Sequence, residues 1–206
     1  MKIRILGIVL VCICLTLGLT HQGVAAIDAE NITGMWMFDE GKGQESEDLS
    51  GNGNDADFIG GPAWIDGVFG KALEFDGGGA HVVIADHRNP TTAVTVTVWA
   101  KSAEAAWNQH GWILEKRNAF MMHNIQGATT VGWILCNGGC WNLPFNWQSG
   151  AVGPDDITEW HMYTGTFDST TGEWFLYIDG KLESELALNE APIDEDVGPI
   201  YVGNDT

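Results

Sequence analysis

The stretch Trp160–Leu182, WHMYTGTFDSTTGEWFLYIDGKL, narrows the choice of fold more than any other part of the chain. Two runs of β-branched and aromatic residues, Trp160–Phe167 and Glu173–Ile178, flank a turn made of Asp168, Ser169, Thr170, Thr171 and Gly172. Extended runs bounded by such a cluster predict an antiparallel hairpin. A second turn follows at once, because Asp179-Gly180 supplies the positive φ angles of a tight type I′ connection. Large residues occupy both faces: Trp160, Met162, Trp174, Leu176 and Ile178 alternate with Tyr163, Phe167, Phe175 and Tyr177. A sheet with one wet face does not need this. The hairpin is therefore expected in the middle of the fold, one face in a sandwich core and the other against a groove or a further layer.

The first residues follow different rules. Lys2 and Arg4 precede an apolar run, Ile5–Leu19, and Val24-Ala25-Ala26 provides small residues before Ile27. A basic start, a short apolar stretch and a small-residue site describe a secretory signal peptide over residues 1–26. The alternative is an uncleaved anchor, for which the run is short. On the first reading the domain spans residues 27–206. It is secreted or held in the periplasm or at the cell surface, with no membrane insertion of the mature chain. The formal net charge of −19 becomes two units more negative once Lys2 and Arg4 are removed. Such a surface repels nucleic acid and attracts divalent cations. Twenty-seven glycines, with little helical periodicity, point to an all-β chain rich in tight turns.

Only Cys136 and Cys140 lie beyond the leader, bracketing Asn137-Gly138-Gly139. Cross-strand neighbours at a tight turn lie within reach of a disulfide, and export supplies an oxidising compartment. The bridge is expected to pin a loop, contributing ~2 kcal/mol for so short a ring. Free thiols are the alternative, and two cysteines make only half of a structural zinc site.

Further strands are expected at Thr33–Phe38, Gly67–Asp76, His81–Ile84, Val94–Ala100, Gly111–Glu115, Phe120–Ile125, Val131–Cys136 and Gly198–Gly203. The clearest alternation is V-T-V-T-V-W-A at Val94–Ala100. Asp39–Phe58 reads as a polar, glycine-rich loop. Within it, Asp48-Leu49-Ser50-Gly51-Asn52-Gly53 begins as a calcium loop does, with oxygen side chains at the first, third and fifth places and glycine at the sixth. The twelfth place is Ile59, where such a loop needs a bidentate glutamate, so a solvated turn cluster remains the competing reading. Asn137–Asp156 lacks periodicity but carries Trp141 and Trp147, and is expected to be a long ordered loop of the kind that carries function.

From Gly34 to Asn204 the chain resembles the laminin-G-like domains of the concanavalin A-like lectin/glucanase group. The resemblance rests on W-H-x-Y-x-G-T-F-D-x-x-x-G-x-x-x-L-Y-I-D-G-K at the hairpin, G-M-W-M-F-D-E-G-x-G at Gly34–Gly43 and D-L-S-G-N-G-N at Asp48–Asn54. It continues with G-x-x-G-K-A-L-E-F-D-G at Gly67–Gly77, T-V-T-V-W-A-K at Thr95–Lys101 and I-Y-V-G-N at Ile200–Asn204. It implies a two-sheet antiparallel jelly-roll sandwich that binds glycans or proteins, with a structural calcium near the rim. Asp48, Asn52 and Asp76 are the candidate calcium ligands. Family members usually continue after I-Y-V-G-N with a strand of the form F-x-G-x-I-D-E-V. Without it, an edge beside the core needs a cover from a longer chain, from the N-terminal region or from a partner.

Three functions compete. A non-catalytic module for carbohydrate or extracellular protein would use aromatic loop residues, with Trp107, Trp141 and Trp147 as candidate ligand contacts. A glycoside hydrolase or polysaccharide lyase would need paired carboxylates on one face, as in an E-x-D-x-E strand. The chain contains no such run; Glu115 and His123 on neighbouring strands could make an acid/base pair, a satisfied or exposed pair being the competing reading. An adhesion or assembly protein would instead use calcium and a partner at the open edge. A binding module without catalysis is the expectation.

Overall fold

The computed structural model describes residues 3–11, 27–85, 87–108, 112–140 and 146–203. Fifteen strands form: β1 (Ile3–Val11), β2 (Ile32–Trp36), β3 (Glu45–Ser46), β4 (Ala56–Ile59), β5 (Ala63–Asp66), β6 (Lys71–Phe75), β7 (His81–Ile84) and β8 (Ala93–Ser102), then β9 (Leu114–Lys116), β10 (Phe120–Asn124), β11 (Val131–Leu135), β12 (His161–Asp168), β13 (Glu173–Ile178), β14 (Lys181–Ala187) and β15 (Ile200–Val202). The only helical element among the described residues is a 3₁₀ turn at Ala29–Asn31. The strands make two antiparallel sheets, as expected of a jelly-roll sandwich. The first runs β14-β13-β12-β8-β1-β6-β5, with β2 also paired to β1, and the second runs β11-β10-β9-β15-β7-β4-β3.

The central hairpin forms as its sequence predicts. β12 pairs with β13 from Tyr163↔Ile178 to Asp168↔Glu173, and β13 pairs with β14 around Asp179-Gly180. Both turn residues have positive φ, 53° and 79°, as a type I′ turn requires. Period-two alternation then decides burial. Trp174, Leu176 and Ile178 enter the core with Tyr163 and Phe167, while Phe175, Tyr177, Thr164 and Thr166 face outward. On β8, Val94, Val96 and Val98 point inward and Thr95, Thr97 and Trp99 outward. β14 closes this side as an exposed edge whose Lys181, Glu183 and Glu185 discourage further pairing.

Between the sheets lies a single aromatic-rich core. Trp133 of β11 crosses to β12, its Nε1 donating to Thr166 O at 3.2 Å, and Trp174 Nε1 donates to Trp133 O at 2.9 Å. Each indole N–H is thus satisfied while its rings fill the space between layers. Two strands, β3 and β4, arise inside the stretch read as a polar loop, and β5 and β14 are additional as well.

Ile3–Val11, within the first half of the expected leader, forms β1. It lies between β8 on one side and β6 and β2 on the other. Of the covers that the sequence allowed for the edge beside the core, the N-terminal region is the one seen.

Candidate binding face

The outward residues of the first sheet make an open surface. β12 pairs Thr166 with Phe175 on one side and Thr95 on the other, and pairs Thr164 with Tyr177 and Thr97. The result is a threonine ladder down the middle, with Thr97 Oγ1 and Thr164 Oγ1 3.1 Å apart, flanked by Phe175 and Tyr177. A groove of about 340 Å³ opens at the end of this ladder, lined by Thr95, Thr166, Asp168, Thr170, Glu173, Phe175 and Tyr177 among others. Phe175 and Glu173 also line a second groove, with Glu185 and Leu186.

Local hydrogen bonds order the rim. Asp168 Oδ1 accepts from Thr170 N at 2.8 Å and from Thr170 Oγ1 at 2.6 Å, while Thr171 Oγ1 donates to Glu173 Oε2 at 3.0 Å. Burial, and then the negative charge of Glu173, hold the Tyr177 phenol above its ordinary pKa. It therefore stays a neutral hydroxyl, able to donate and accept. The face combines aromatic surface, hydroxyls and carboxylates with no basic side chain among the groove's lining residues.

At the other end of the same face lies a second aromatic group. Phe69 meets Trp99 edge-on at 5.7 Å, and Lys101 Nζ stands 5.4 Å from the centre of the Trp160 ring.

The residues singled out in the sequence fall in three places. Trp107 is not a loop platform: its ring is 2% exposed and packs edge-on to Tyr163 within the core. The backbone there does leave the strands, but the indole turns inward, where its area is worth most. Trp141 lies outside the described residues. Trp147 is half-buried over the outer face of the second sheet, where His123 stacks against both Trp147, at 5.0 Å, and Trp112, at 4.0 Å. Glu115, paired with Met121 of β10, is fully buried, with Arg117 Nη1 3.3 Å from its Oε1. An acid enclosed in this way is not placed to meet a polysaccharide.

The loop over that sheet is held as expected by a Cys136–Cys140 disulfide. An unforeseen clamp joins it. Asp194 accepts from the backbone N–H of Gly138 at 2.9 Å and of Gly139 at 3.1 Å, and Asp194 N donates to Cys136 O at 2.7 Å.

The calcium candidates Asp48, Asn52 and Asp76 are engaged in hydrogen bonds within the protein. Asp48 is 4% exposed and accepts through Oδ1 from Met35 N and Ser50 N, and through Oδ2 from Asn54 N and Asn54 Nδ2. Those four donors use the lone-pair directions that a carboxylate possesses. Burial pushes the Asp48 pKa up, but these hydrogen bonds outweigh it and hold the carboxyl below its ordinary value. Asn52 turns its Nδ2 donor to Ile32 O and Ser50 Oγ, and Asp76 Oδ1 accepts from Gly78 N in a separate turn. Among the described residues, no group of three or more His, Cys, Asp or Glu converges as metal ligands would.

The family described as the concanavalin A-like lectin/glucanases superfamily, a laminin-G class, matches residues 76–206. No curated protein matches the sequence. Several solved structures share the fold. The binding domain of Paraclostridial Mosquitocidal Protein 1 superposes with a TM-score of 0.59 at 15% identity, covering 80% of this chain and 43% of that one. The receptor binding domain of botulinum neurotoxin D gives 0.56 at 16%, with coverages of 80% and 43%. This chain thus spans under half of those neighbours. Domain 4 of AbnA, a GH43 extracellular arabinanase from Geobacillus stearothermophilus solved with arabinotriose, gives 0.50 at 18%, covering 84% of this chain and 93% of that one.

Proposed function

Because the chain belongs to the concanavalin A-like lectin/glucanase superfamily, we propose that it is a secreted, non-catalytic module that binds neutral glycans on the open face of its first sheet. The observation that carries this reading is the groove beside Phe175 and Tyr177. A pyranose or furanose ring offers apolar C–H faces for aromatic stacking and a ring of hydroxyls for short polar side chains. Phe175 and Tyr177 supply the first, and Thr95, Thr166, Asp168 and Glu173 the second. Two grooves that share Phe175 and Glu173 suit a chain of sugars better than a single one.

Charge narrows the ligand. Asp168 and Glu173 lie in the groove and the whole chain carries −19, so sialylated or uronic glycans meet repulsion. Domain 4 of the arabinanase, solved with the uncharged arabinotriose, supports the neutral choice as a fold-level precedent. The enclosed Glu115 supports absence of catalysis, and the leader sequence supports export.

The test is a glycan array holding neutral and sialylated members, followed by titration of the best binder. Neutral oligosaccharides should bind, and Tyr177→Ala or Phe175→Ala should weaken binding at least fivefold, about 1 kcal/mol. Sialylated glycans binding preferentially, or affinity indifferent to both substitutions, would remove the groove from consideration. Recovery of a protein ligand with no glycan bound would favour the extracellular-protein reading.

A further inference from the structure

Resting on the glycan reading above, we infer that the binding track does not end at the groove. It continues along β8 and β12 to a second platform made by Trp99 and Trp160. The preferred ligand is then a linear neutral oligosaccharide, long enough to lie on both and aligned with the strands.

Strand register places the two ends on one line. Alternate residues of a strand face the same side, so outward neighbours recur about every 7 Å. On the open side, β8 and β12 present Thr95 beside Thr166, then Thr97 beside Thr164, then Trp99 beside Met162. One step further, Lys101 Nζ stands 5.4 Å from the centre of the Trp160 ring. The groove row and the Trp160 row are therefore about 20 Å apart, more than a disaccharide covers. Between them stand the hydroxyls of Thr97 and Thr164, 3.1 Å from one another, with Tyr177 alongside.

The far platform is exposed and ordered. Trp36, Trp107, Trp133 and Trp174 lie in the core, whereas Trp99 and Trp160 stay half-buried on the open side. A sugar's C–H face laid on such an indole removes apolar surface from water. Neighbours hold the rings, so binding costs little side-chain freedom. Phe69, from the turn between β5 and β6, meets Trp99 edge-on at 5.7 Å, and Lys101 stands over Trp160. The adjoining turn is fixed as well. Asp179 Oδ1 accepts from Met162 N at 2.9 Å, and Asp179 Oδ2 lies 2.7 Å from His161 Nδ1.

The pattern favours a sugar chain over an apolar protein surface. Rings at both ends are separated by a hydroxyl ladder, where a docking protein would meet a continuous apolar patch. An oligosaccharide offers the same alternation of C–H faces and hydroxyls. The second groove extends the site sideways over β14, but Phe175 is the one ring among its lining residues, with Glu173, Glu185, Leu186 and Ala187. Further stacking lies along the strands.

The test is a length series. Cello-, xylo- and arabino-oligosaccharides, each from disaccharide to hexasaccharide, are titrated against the full chain. Within a series that binds, affinity should rise about tenfold from the shortest to the longest member, the worth of one or two added stacks. Trp99→Ala and Trp160→Ala should each cut the ratio of hexasaccharide to disaccharide affinity about threefold or more. Tyr177→Ala should lower both affinities and keep the ratio. In the unsubstituted protein, the indole N–H resonance of Trp99 should shift with hexasaccharide and not with disaccharide. Affinity that stops rising at the disaccharide, or a Trp99 resonance that no oligosaccharide moves, would overturn the track, while Tyr177 dependence would keep the groove. A length gain lost with Leu186→Ala and retained with Trp99→Ala would turn the ligand sideways over β14 and overturn it too. Failure of all three series to bind also overturns the proposal, and the glycan array then decides separately for the groove.

Discussion

Gly165 on β12 lies against the indole of Trp133 on β11, so closely that a Cβ built on the glycine would overlap the ring. The two residues belong to different sheets, and both are buried. A small residue on one layer thus admits the largest side chain from the other. This is how interiors reach crystal-like density. Replacing Gly165 with Ala should cost about 1–3 kcal/mol, the range for overpacking a filled core. The thermal midpoint should fall by roughly 2–4 °C for each kcal/mol in a domain this size. An unchanged melting curve would show that the sheets separate more readily than their packing implies.

The tryptophans should divide by location. Trp107→Ala removes a core ring and should cost about 3–5 kcal/mol in denaturant unfolding. Trp147→Ala strips one stacking neighbour from His123 and should cost only about 1 kcal/mol. Glycan affinity should survive Trp147→Ala, because this side chain lies over the second sheet and the groove lies on the first. Affinity lost with Trp147 and retained with Tyr177→Ala would move the ligand to the loop.

Acid should destabilise the fold in a defined window. Burial raises the pKa of Asp48, Asp179 and Asp196, yet hydrogen bonds prevail and leave each below its ordinary value. For Asp179 the donors are His161 and Met162 N. For Asp196 they include the Gly198 and Asn118 amides, with the charge of Lys116 adding to them. A carboxyl depressed on folding stabilises fully above its unfolded pKa, about 3.9, and loses that contribution as pH falls through the folded value. Urea midpoints should therefore hold steady from pH 7 to 5 and drop below about pH 4. Relief of repulsion in a chain of net charge −19 acts in the opposite direction over the upper range.

Asp48→Ala should lower stability at neutral pH by about 1–3 kcal/mol, because it leaves buried N–H donors without an acceptor. It should also flatten the acid response. Melting curves in calcium and in chelator should coincide for the parent chain, since Asp48 would have to release its own loop to hold a cation. A calcium-dependent rise abolished by Asp48→Ala would restore the ion to this loop.

Asp194 and the Cys136–Cys140 bridge restrain the same five-residue turn. Reduction should cost about 2 kcal/mol by the chain-entropy estimate. Asp194→Ala should loosen the turn even with the disulfide intact, seen as faster hydrogen exchange at Gly138 and Gly139. Equal exchange in both proteins would assign the loop's order to the covalent link alone.

By itself the sequence determined what local chemistry controls. Alternation in Val94–Ala100 and Glu173–Ile178, the type I′ dipeptide Asp179-Gly180 and the short Cys136–Cys140 spacing each specify nearby backbone. The strands, turn and bridge stand where those residues predict them. The hairpin's bulky residues already announced a core on one side and a groove on the other. The grouping of Tyr163 and Phe167 with Phe175 and Tyr177 is overturned by register, since Tyr163 pairs with Ile178 and Phe167 with Trp174 on the core face. Tertiary structure alone decided which face was which. Burial of Trp174, and exposure of Phe175 one residue later, follow from the register of β12 against β8 and β13, set by partners far away in the chain. The same dependence sent Trp107 inward from an irregular stretch, turned the oxygens of Asp48 to β2 and to its own loop, and drew strands β3 and β4 out of polar sequence. In each case the competing fates differ by non-local burial and pairing. Residue type and spacing do not encode those energies until the sheets have met.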